Sequence, residues 1–315
     1  MPIRPYEPAD ASQVRDILRE TQPAFVFTEA GVRHWIDAQP RRARLVMLVA
    51  EDRGRLIGCA EAFLVCDSSV EGGSRAWVGV REEARNRGVG SRLFEEAEAH
   101  LSNAGAERLT ALLTDERPEG ERFLRKRGFA EGRKERVSAV DPATAETSEF
   151  DELRVRAADE GYRLVSLAEV LDKPYELYEC FAEAGADAPA DEPWDRARYD
   201  EWRRQSLDQP NLTSEGSFVV VHEGKPVSLS WLEIDPETRR AANAFTGTRR
   251  AHRRRGLGRL VKSATIRWAH RQGIREIVTS NDSTNAPMLA LNDDLGYRLL
   301  YYEREFTRIL RTAAE

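Results

Sequence analysis

The chain lacks the features that mark extracellular, membrane-spanning or nucleic-acid-binding proteins. Its three cysteines, Cys59, Cys66 and Cys180, form no CxxC pair, so neither a disulfide framework nor a zinc site is expected. No stretch approaches the roughly 18 consecutive apolar residues of a membrane-spanning helix. The net charge of −6 gives no electrostatic reason to expect a nucleic-acid partner. The amino-terminal residues contain no apolar signal core, so a cytoplasmic protein without metal, membrane or nucleic-acid partners is expected.

The length and composition predict two domains. A chain of 315 residues fits two domains of about 150 residues each. Apolar residues make up 41% of the chain, which is enough for a hydrophobic core in each half. Monomer and homodimer both remain open.

A short glycine-containing phrase occurs twice in the chain. Arg85-Asn-Arg-Gly88-Val-Gly90 returns as Arg253-Arg-Arg-Gly256-Leu-Gly258, at an offset of 168 positions (253 − 85). Further pairs keep this offset without a gap: Gly79 and Gly247, Arg81 and Arg249, Gly105 and Gly273, Gly128 and Gly296, and Phe129 and Tyr297. Glycines in register mark turns or close backbone approaches. The repeat therefore predicts one fold built twice, with residues 75–130 and 243–298 each forming strand, glycine loop, helix, strand and helix.

The boundary between the two copies is predicted in a polar segment at residues 141–150, which opens with Asp141-Pro. We expect an N-terminal domain at 1–145, a linker at 146–160 and a C-terminal domain at 161–315. Residues 150–160 are compatible with a linker helix, and the pattern alone does not decide between helix and loop.

Each copy carries a loop suited to binding a phosphate group. A strand leads into the glycine loop and a helix follows, so the first helical turn offers N–H groups that have no partner within the helix. The two glycines let the backbone approach an anion, and the preceding arginines add positive charge. For one copy alone, a turn with solvated arginines is the alternative. The loop is neither the G-x-G-x-x-G dinucleotide motif nor a Walker loop, because no Gly-Lys-Ser/Thr follows.

These motifs resemble the GNAT acyl-CoA N-acetyltransferase family. Its signature is Q/R-x-x-G-x-G/A after the fourth strand, then a helix, then a G-F near the last strands. The matching positions are Arg85, Gly88, Gly90 and Gly128-Phe129 in the first copy, and Arg253, Gly256, Gly258 and Gly296-Tyr297 in the second. The resemblance covers nearly the whole chain. The paired layout is similar to the tandem members of the family, which include mycothiol synthase.

The resemblance implies both a fold and a co-substrate. The fold is of the α/β (α+β) class: two tandem GNAT domains, each a mixed, mainly antiparallel sheet flanked by helices. The co-substrate is acetyl-CoA, without a metal, with its pyrophosphate on the glycine loop and its pantetheine arm along the fourth strand. The implied binding residues are Val78, Val80, Arg85, Arg87, Gly88, Val89 and Gly90 in the first copy, and Thr246, Thr248, Arg253, Arg254, Arg255, Gly256, Leu257 and Gly258 in the second.

The second copy is the closer of the two to the family pattern. Its fifth strand runs into Asn281 and Asn285, where the family often places an Asn that binds the cofactor arm between two splayed strands. At the same offset the first copy has Leu113 and Arg117. The second domain is therefore the favoured catalyst, and the first is expected to be structural or degenerate. Capping of a turn or helix is the alternative role for both asparagines.

Both copies depart from the family at its catalytic positions. The family's Tyr, four residues before the G-F glycine, falls on Leu124 and Asn292, and its Glu, eleven residues before the loop arginine, falls on Ser74 and Ala242. An ammonium substrate must still lose a proton, at a cost of about 4.6 kcal/mol at pH 7. A water relay to a carboxylate would meet this need, and Glu233 on the preceding strand is the first candidate. Asn292, in the place of the Tyr, is the second catalytic candidate. Asp235, His222, Tyr301 and Tyr302 are weaker ones, and an ordinary structural role is the alternative for all of these side chains.

The predicted reaction is transfer of an acetyl group from acetyl-CoA to a primary amine of a small molecule or peptide, by direct attack in a ternary complex. A non-catalytic protein that binds CoA or a small molecule for regulation is the alternative, and the missing Tyr and Glu support it. An enzyme that uses a longer acyl-CoA is a further alternative.

Overall fold

Helices and strands follow one another in the order that the repeat predicts. The structure is a computed structural model and describes residues 2–114, 117–195 and 197–310. The strands are β1 (Ile3–Pro5), β2 (Val46–Asp52), β3 (Arg55–Leu64), β4 (Gly73–Val80), β5 (Arg108–Thr114), β6 (Ala130–Val140), β7 (Tyr162–Ser166), β8 (Phe218–His222), β9 (Lys225–Asp235), β10 (Arg240–Thr248), β11 (Glu276–Asp282) and β12 (Arg298–Ile309). The helices are α1 (Ala11–Thr21), α2 (Glu29–Ala38), α3 (Val89–Asn103), α4 (Pro118–Lys126), α5 (Phe150–Asp159), α6 (Pro174–Gly185), α7 (Tyr199–Trp202), α8 (Leu257–Arg271) and α9 (Ala286–Asp294).

Contacts among the described residues divide the chain into two units. The first contains the chain up to Glu135 and again from Tyr301 onward, and the second contains Arg136–Leu300. Two strands therefore change unit along their length, β6 after Glu135 and β12 after Leu300. The expected domain boundaries stay a prediction, and the grouping of the end of the chain with its beginning is a feature that the repeat alone does not indicate.

The first unit is a mixed sheet flanked by helices. Its strands lie in the order β1-β2-β3-β4-β5-β12, with β4 parallel to β5 and the other registered neighbours antiparallel. One face packs on α3, where Leu93, Ala97 and Leu101 are fully buried on the face that the helical spacing predicts. The other face packs on α1 and α2.

The second unit has the same arrangement. Its strands lie in the order β6-β11-β10-β9-β8-β7, with β10 parallel to β11 and the registered pairs from β7 to β10 antiparallel. One face of this sheet packs on α6 and α7, and the other on α8 and α9. The predicted fold class, a mixed and mainly antiparallel sheet flanked by helices, is confirmed in both units.

The two glycine loops share one backbone geometry. Gly88 has φ 79° and ψ 0°, and Gly256 has φ 77° and ψ 4°. Both are left-handed, a conformation that glycine adopts without the steric cost other residues meet. Each directly precedes a 15-residue helix, α3 or α8. The predicted repeat of strand, glycine loop, helix, strand and helix is confirmed at this level of detail.

Residues 150–159 form a helix, which decides the question that the sequence left open. This helix, α5, packs on α8 through Leu153 and Ala157, which share a hydrophobic cluster with Leu257 and Leu260. Ion pairs from Arg259 to Glu149 and from Arg267 to Asp151 lie beside this contact. Helix α5 is therefore packed into the second unit.

Among the described residues, no helix is both long and apolar enough to cross a membrane.

Candidate active site

In both units the two parallel strands separate before they reach the glycine loop. The registered pairing of β4 with β5 ends at Ala76 and Ala111, although β4 continues to Val80. The pairing of β10 with β11 ends at Ala242 and Val278, although β10 continues to Thr248. Backbone groups on the splayed side of β4 and β10 therefore face a cleft in which an extended chain could take the place of a neighbouring strand.

In the first unit this cleft is a cavity of about 780 Å³ above the glycine loop. The predicted binding residues Val78, Val80, Arg85, Gly88, Val89 and Gly90 all line it. Arg117, just before α4, and Arg122 of α4 line the same cavity with positive charge, and Glu82 and Glu119 add negative charge to it. Arg87 lies outside the lining and forms a long ion pair with Asp52 at 3.5 Å. The structure thus brings together most of the residues that the sequence assigns to this loop.

The loop arginine of each unit holds the backbone that precedes it. Arg85 donates from Nε to the carbonyl of Val80 at 3.1 Å, and Arg253 donates from Nε to that of Thr248 at 2.9 Å. In both units the bond spans five residues, so one half of the guanidinium is used to shape the loop. The outer nitrogens are the part of each side chain that remains for an anion or an acidic neighbour.

Acidic residues surround the arginines of the second loop. Arg253 and Arg250 both donate to Asp187, and these charge-assisted bonds hold the pKa of the Asp187 carboxyl well below its usual range. Arg255 donates to Glu160 at 2.9 Å, whereas Arg254 is exposed. An incoming pyrophosphate would compete with Asp187 for Arg253, so the backbone N–H groups at the start of α8 are the better-placed donors.

Gly90 and Gly258, the third residues of the two G-x-G motifs, face their clefts in the same way. A Cβ built on Gly90 would lie 3.5 Å from Val80, and one on Gly258 would lie 3.7 Å from Thr248 and 3.9 Å from Leu291. Gly256 differs from Gly88, because a Cβ built on Gly256 would lie 2.9 Å from Leu153 of α5, while one built on Gly88 would meet no atom within 4 Å beyond its chain neighbours. Substitutions at Gly90 and Gly258 are therefore matched in their steric effect, and those at Gly88 and Gly256 are not.

A β-bulge shapes the second cleft. The register of β10 on β9 shifts between Asn243 and Phe245, so that Ala244 is the extra residue. Asn243 stabilises the bulge by donating its side-chain N–H groups to Ser230 and to the carbonyl of Trp231, both at 2.9 Å. The pairing of β4 on β3 has no such shift. Bulges commonly re-aim side chains beside functional sites, and here the bulge decides what lies opposite Ala242.

Glu233 lies directly across the strands from Ala242, the position where the family carries its Glu. Residues directly opposite in an antiparallel pair point to the same face, with Cβ atoms about 5 Å apart. Alternation along β9 places Glu233 on the α6 face with Trp231, since the intervening Leu232 packs on the α8 face. Burial raises the pKa of the Glu233 carboxyl to about 7, so near neutral pH it can both take up and release a proton.

The weaker catalytic candidates lie in structural settings. Asp235 accepts N–H bonds from Glu237 and Thr238 in the turn that follows β9. His222 stacks on Tyr162 with ring centroids 4.4 Å apart. Tyr301 and Tyr302 belong to the first unit.

A buried polar chain connects two of the predicted asparagines in the second unit. Lys262 of α8 donates from Nζ to Asn292 Oδ1 at 2.5 Å, and Asn292 donates from Nδ2 to Asn281 Oδ1 at 2.7 Å. Lys262 is 1% exposed and Asn292 is 2% exposed. Burial lowers the pKa of the Lys262 ammonium to about 7. Asn285 stands apart, since its side chain caps α9 by accepting from the N–H of Met288 at 3.4 Å.

The remaining predicted residues of β10 use their hydroxyls within the sheet. Thr246 donates to Asn243 Oδ1 at 2.9 Å, and Thr248 shares a hydrogen bond with Ser228 at 2.8 Å. These side chains fix the strand, and the backbone of β10 is what remains for a cofactor arm.

Sequence reasoning missed Lys262, Asn243 and Glu61. Glu61 of β3 accepts a hydrogen bond from the indole of Trp35 at 2.8 Å; burial raises the pKa of its carboxyl to about 7, with the indole bond acting in the opposite direction. The repeat offset contained a usable signal for Lys262, which aligns with Phe94. A charged residue at the position of a core aromatic suggests a buried polar role. The bulge at Asn243 had no such signal, because the two copies align there without a gap.

Comparison with known proteins identifies the domains. The acetyltransferase (GNAT) domain family matches residues 43–131, and the acetyltransferase (GNAT) family matches residues 171–297. No curated protein matches the sequence significantly. Among the described residues, no group of three or more His, Cys, Asp or Glu side chains is placed to hold a metal ion.

Solved structures similar to this chain include other two-domain proteins. A tandem GNAT protein from the clavulanic acid biosynthesis pathway is 18% identical, with a TM-score of 0.73 and 98% of each chain covered. A GCN5-related N-acetyltransferase from Sphaerobacter thermophilus is 19% identical, with a TM-score of 0.69, 100% of this chain and 97% of that chain covered. At these identities the likeness concerns the fold. With both family matches in place, the chain belongs to the GNAT acetyltransferase family and carries two GNAT domains in tandem.

Proposed function

We propose that the second unit transfers an acetyl group from acetyl-CoA to a primary amine of a small molecule or peptide. The observation that carries this proposal is the position of Glu233 opposite Ala242, with a carboxyl pKa of about 7. The bulge at Asn243 supports it further, because it brings this carboxyl to the place where the family's base stands. In the first unit the counterpart of Ala242 is Ser74, and the residue opposite it is Leu64, so no carboxylate stands in the place of Glu233.

The residues of the second cleft fit acetyl-CoA. The N–H groups at the start of α8, from Leu257 onward, would bind the pyrophosphate, together with Arg254 and the outer nitrogens of Arg253 and Arg255. The backbone of β10 from Asn243 to Thr248 would pair with the pantetheine arm, and Gly258 leaves room for it. Acetyl-CoA supplies an activated thioester carbonyl to this cleft.

Proton transfer is the chemistry that this chain supplies. Glu233, ionised above its pKa, accepts the proton that the ammonium must lose, directly or through one water. The freed amine attacks the thioester carbonyl, so that a C–N bond forms, the C–S bond breaks and the CoA thiolate leaves, while the nitrogen releases its second proton to solvent to give the neutral amide. Asn292 occupies the position of the family's acid, but an amide cannot deliver a proton to the thiolate. We propose that solvent protonates the thiolate.

A second function is favoured for the first unit by its 780 Å³ cavity. Its loop and its added arginines Arg117 and Arg122 suit a CoA pyrophosphate. The first unit would then bind CoA without turnover, as a regulatory or structural site.

The test compares two glutamates that have the same raised pKa. Release of free CoA thiol from acetyl-CoA is followed against a panel of amines for wild type, Glu233→Gln and Glu61→Gln. Removal of a general base costs about 10²–10⁴ in rate, so we expect Glu233→Gln to lose at least about 100-fold in kcat and Glu61→Gln to retain the wild-type rate.

Two results would contradict the proposal. Full activity of Glu233→Gln with loss in Glu61→Gln would place the chemistry in the first unit. Absence of thiol release with every amine, while CoA still binds, would favour the non-catalytic binding protein. Longer acyl-CoA donors are included in the panel to separate acetyl from other acyl transfer.

A further inference from the structure

The second unit contains a buried ammonium that the proposed chemistry does not use. Lys262 lies on the side of α8 that packs against α9, with its Nζ 4.6 Å from the ring centre of Tyr297. A buried cation is costly unless it is paired or well bonded. Its recorded partners are one amide oxygen, that of Asn292, and the Tyr297 ring. Because burial of the Lys262 ammonium is unfavourable, either packing or function must account for it.

The first unit has apolar residues in place of the Lys262–Asn292–Asn281 series. At the 168 offset, the counterparts of Lys262, Asn292, Asn281 and Tyr297 are Phe94, Leu124, Leu113 and Phe129. Phe94, Leu124 and Phe129 belong to one hydrophobic cluster, against which the partly buried Leu113 packs, and the rings of Phe94 and Phe129 contact edge to face at 5.9 Å. The same fold is thus stable with an apolar set at these positions. Packing alone therefore does not require the lysine.

The hydrogen bonds of the Lys262–Asn292–Asn281 series run in one direction, starting from the Lys262 donor. Lys262 Nζ donates to the oxygen of the Asn292 amide, and in its ammonium form this group can only donate, which holds the Asn292 oxygen toward Lys262. The Asn292 nitrogen then donates to Asn281, and this bond occupies the Asn281 oxygen. Because its oxygen faces Asn292, Asn281 presents its N–H group on the other side of the amide.

Asn281 is the member of the chain that reaches the cleft. It lies on β11 beyond Val278, where pairing with β10 has ended, and it is only partly buried. Its counterpart Leu113 lines the cavity of the first unit. The last donor of the chain therefore lies where a cofactor arm would run between the splayed strands.

We infer that Lys262 is a positioning residue that fixes the orientation of Asn292 and Asn281, so that Asn281 donates its side-chain N–H group to a carbonyl oxygen of the cofactor arm. This inference rests on the proposed function of the second unit. The acceptor is an amide or thioester carbonyl, because the arm of acetyl-CoA offers both and the chain ends in a donor. The first unit, with leucine and phenylalanine at these positions, cannot form this contact.

The direction of the Asn281 bond is tested with two variants. Asn281→Asp keeps the size and the acceptor for Asn292 but turns the outer group into an acceptor, whereas Asn281→Ala removes both. Acetyl-CoA affinity is measured by calorimetry in a Gly90→Val background, in which the added side chain is placed to block the glycine loop of the first unit. We expect about a fivefold loss for Asn281→Ala and more than about tenfold for Asn281→Asp, because two acceptors then face each other. An Asp variant that binds as tightly as wild type would overturn the inferred direction.

The role of Lys262 is tested by combining it with Asn281→Asp. In Lys262→Met the amides are free to reverse, so the Asn281→Asp penalty should shrink to about threefold or less. Ile266→Ala, another buried change on α8, is the control for a loosened helix and should leave the penalty unchanged. An equal penalty with and without Lys262 would overturn the positioning role. If Lys262→Met does not fold, Asn292→Leu, which places the first unit's residue there, interrupts the same chain.

Failure of this inference is distinguishable from failure of the proposed function. If Gly258→Val abolishes acetyl-CoA binding but the Asn281 and Lys262 variants leave the affinity unchanged, the inference alone is overturned. If wild type shows no Gly258-dependent binding at all, both are overturned.

Discussion

At the scale of single residues, burial raises the pKa of one glutamate in each unit, and the neighbours of the two carboxyls differ. Glu61 and Glu233 both have carboxyl pKa values of about 7, but their neighbours differ. Glu61 accepts an indole hydrogen bond and lies opposite Trp77. Glu233 lies opposite the small Ala242. A raised pKa alone therefore does not define a base; what the carboxyl faces decides its use.

The pH dependence of turnover follows from the direction of the Glu233 shift. A general base works only when ionised, and burial raises the pKa of Glu233 to about 7. Turnover should therefore fall as the pH drops through about 7 and level off above it. We expect this acidic limb in wild type and in Glu61→Gln, measured as kcat against pH with a saturating amine. A Glu233→Gln variant whose residual rate keeps the same limb would show that another group is titrating.

At the scale of secondary structure elements, α5 is the main difference between the surroundings of the two glycine loops. Leu153 of α5 is buried against α8, close to Gly256, while Gly88 has no such neighbour within 4 Å. Helix α5 thereby packs against the start of α8 and stabilises it. A rigid start is useful where several backbone N–H groups must meet one pyrophosphate.

Loosening α5 should affect the second site. Leu153→Ala removes a buried side chain and should cost about 2–4 kcal/mol of stability, together with affinity for acetyl-CoA in the second unit. Val155→Ala on the same helix is the control, because Val155 is 53% exposed. Chemical denaturation and calorimetry provide the two readouts. A Leu153→Ala protein with wild-type affinity and stability would remove α5 from the account of the site.

At the scale of the whole molecule, the last strand of the chain completes the first unit. Residues 303–309 of β12 pair with β5, and Phe306 and Leu310 are buried in the core that contains α3. Arg308 donates to the carbonyl of Arg127 and to Glu98. The first unit thus includes residues that lie far along the chain from the rest of that unit.

Substitutions in β12 should therefore destabilise the first unit. Phe306→Ala removes a fully buried ring and should cost about 3–5 kcal/mol. Ile309→Ala is the matched control, since Ile309 is 72% exposed on the same strand, and it should change stability by less than about 0.5 kcal/mol. Hydrogen exchange of the α3 amides reports on the first unit directly. Unchanged protection of α3 in Phe306→Ala would contradict the assignment of this strand.

Much of this architecture was readable from the repeat, and the exceptions have physical reasons. The local left-handed backbone favours glycine at positions such as Gly88 and Gly256. The spacing of these glycines therefore predicted the two loops, the helices that follow them and the order of the strands. The partner of β5 is chosen by long-range pairing, which no local pattern encodes. The bulge at Asn243 and the hydrogen bonds from Lys262 through Asn292 to Asn281 depend on side-chain contacts between different elements. Only the comparison of the two aligned copies indicated a polar role for Lys262.

The central claim is that the second unit carries turnover, and the two G-x-G glycines test it most directly. Gly258→Val and Gly90→Val place the same side chain above equivalent loops, at positions where the first added carbon meets ordinary contacts. Acetyl-CoA-dependent thiol release is measured for both variants with an amine that wild type accepts. We expect Gly258→Val to abolish release and Gly90→Val to retain it. Loss of release in Gly90→Val, with Gly258→Val still active, would contradict the account and assign catalysis to the first unit.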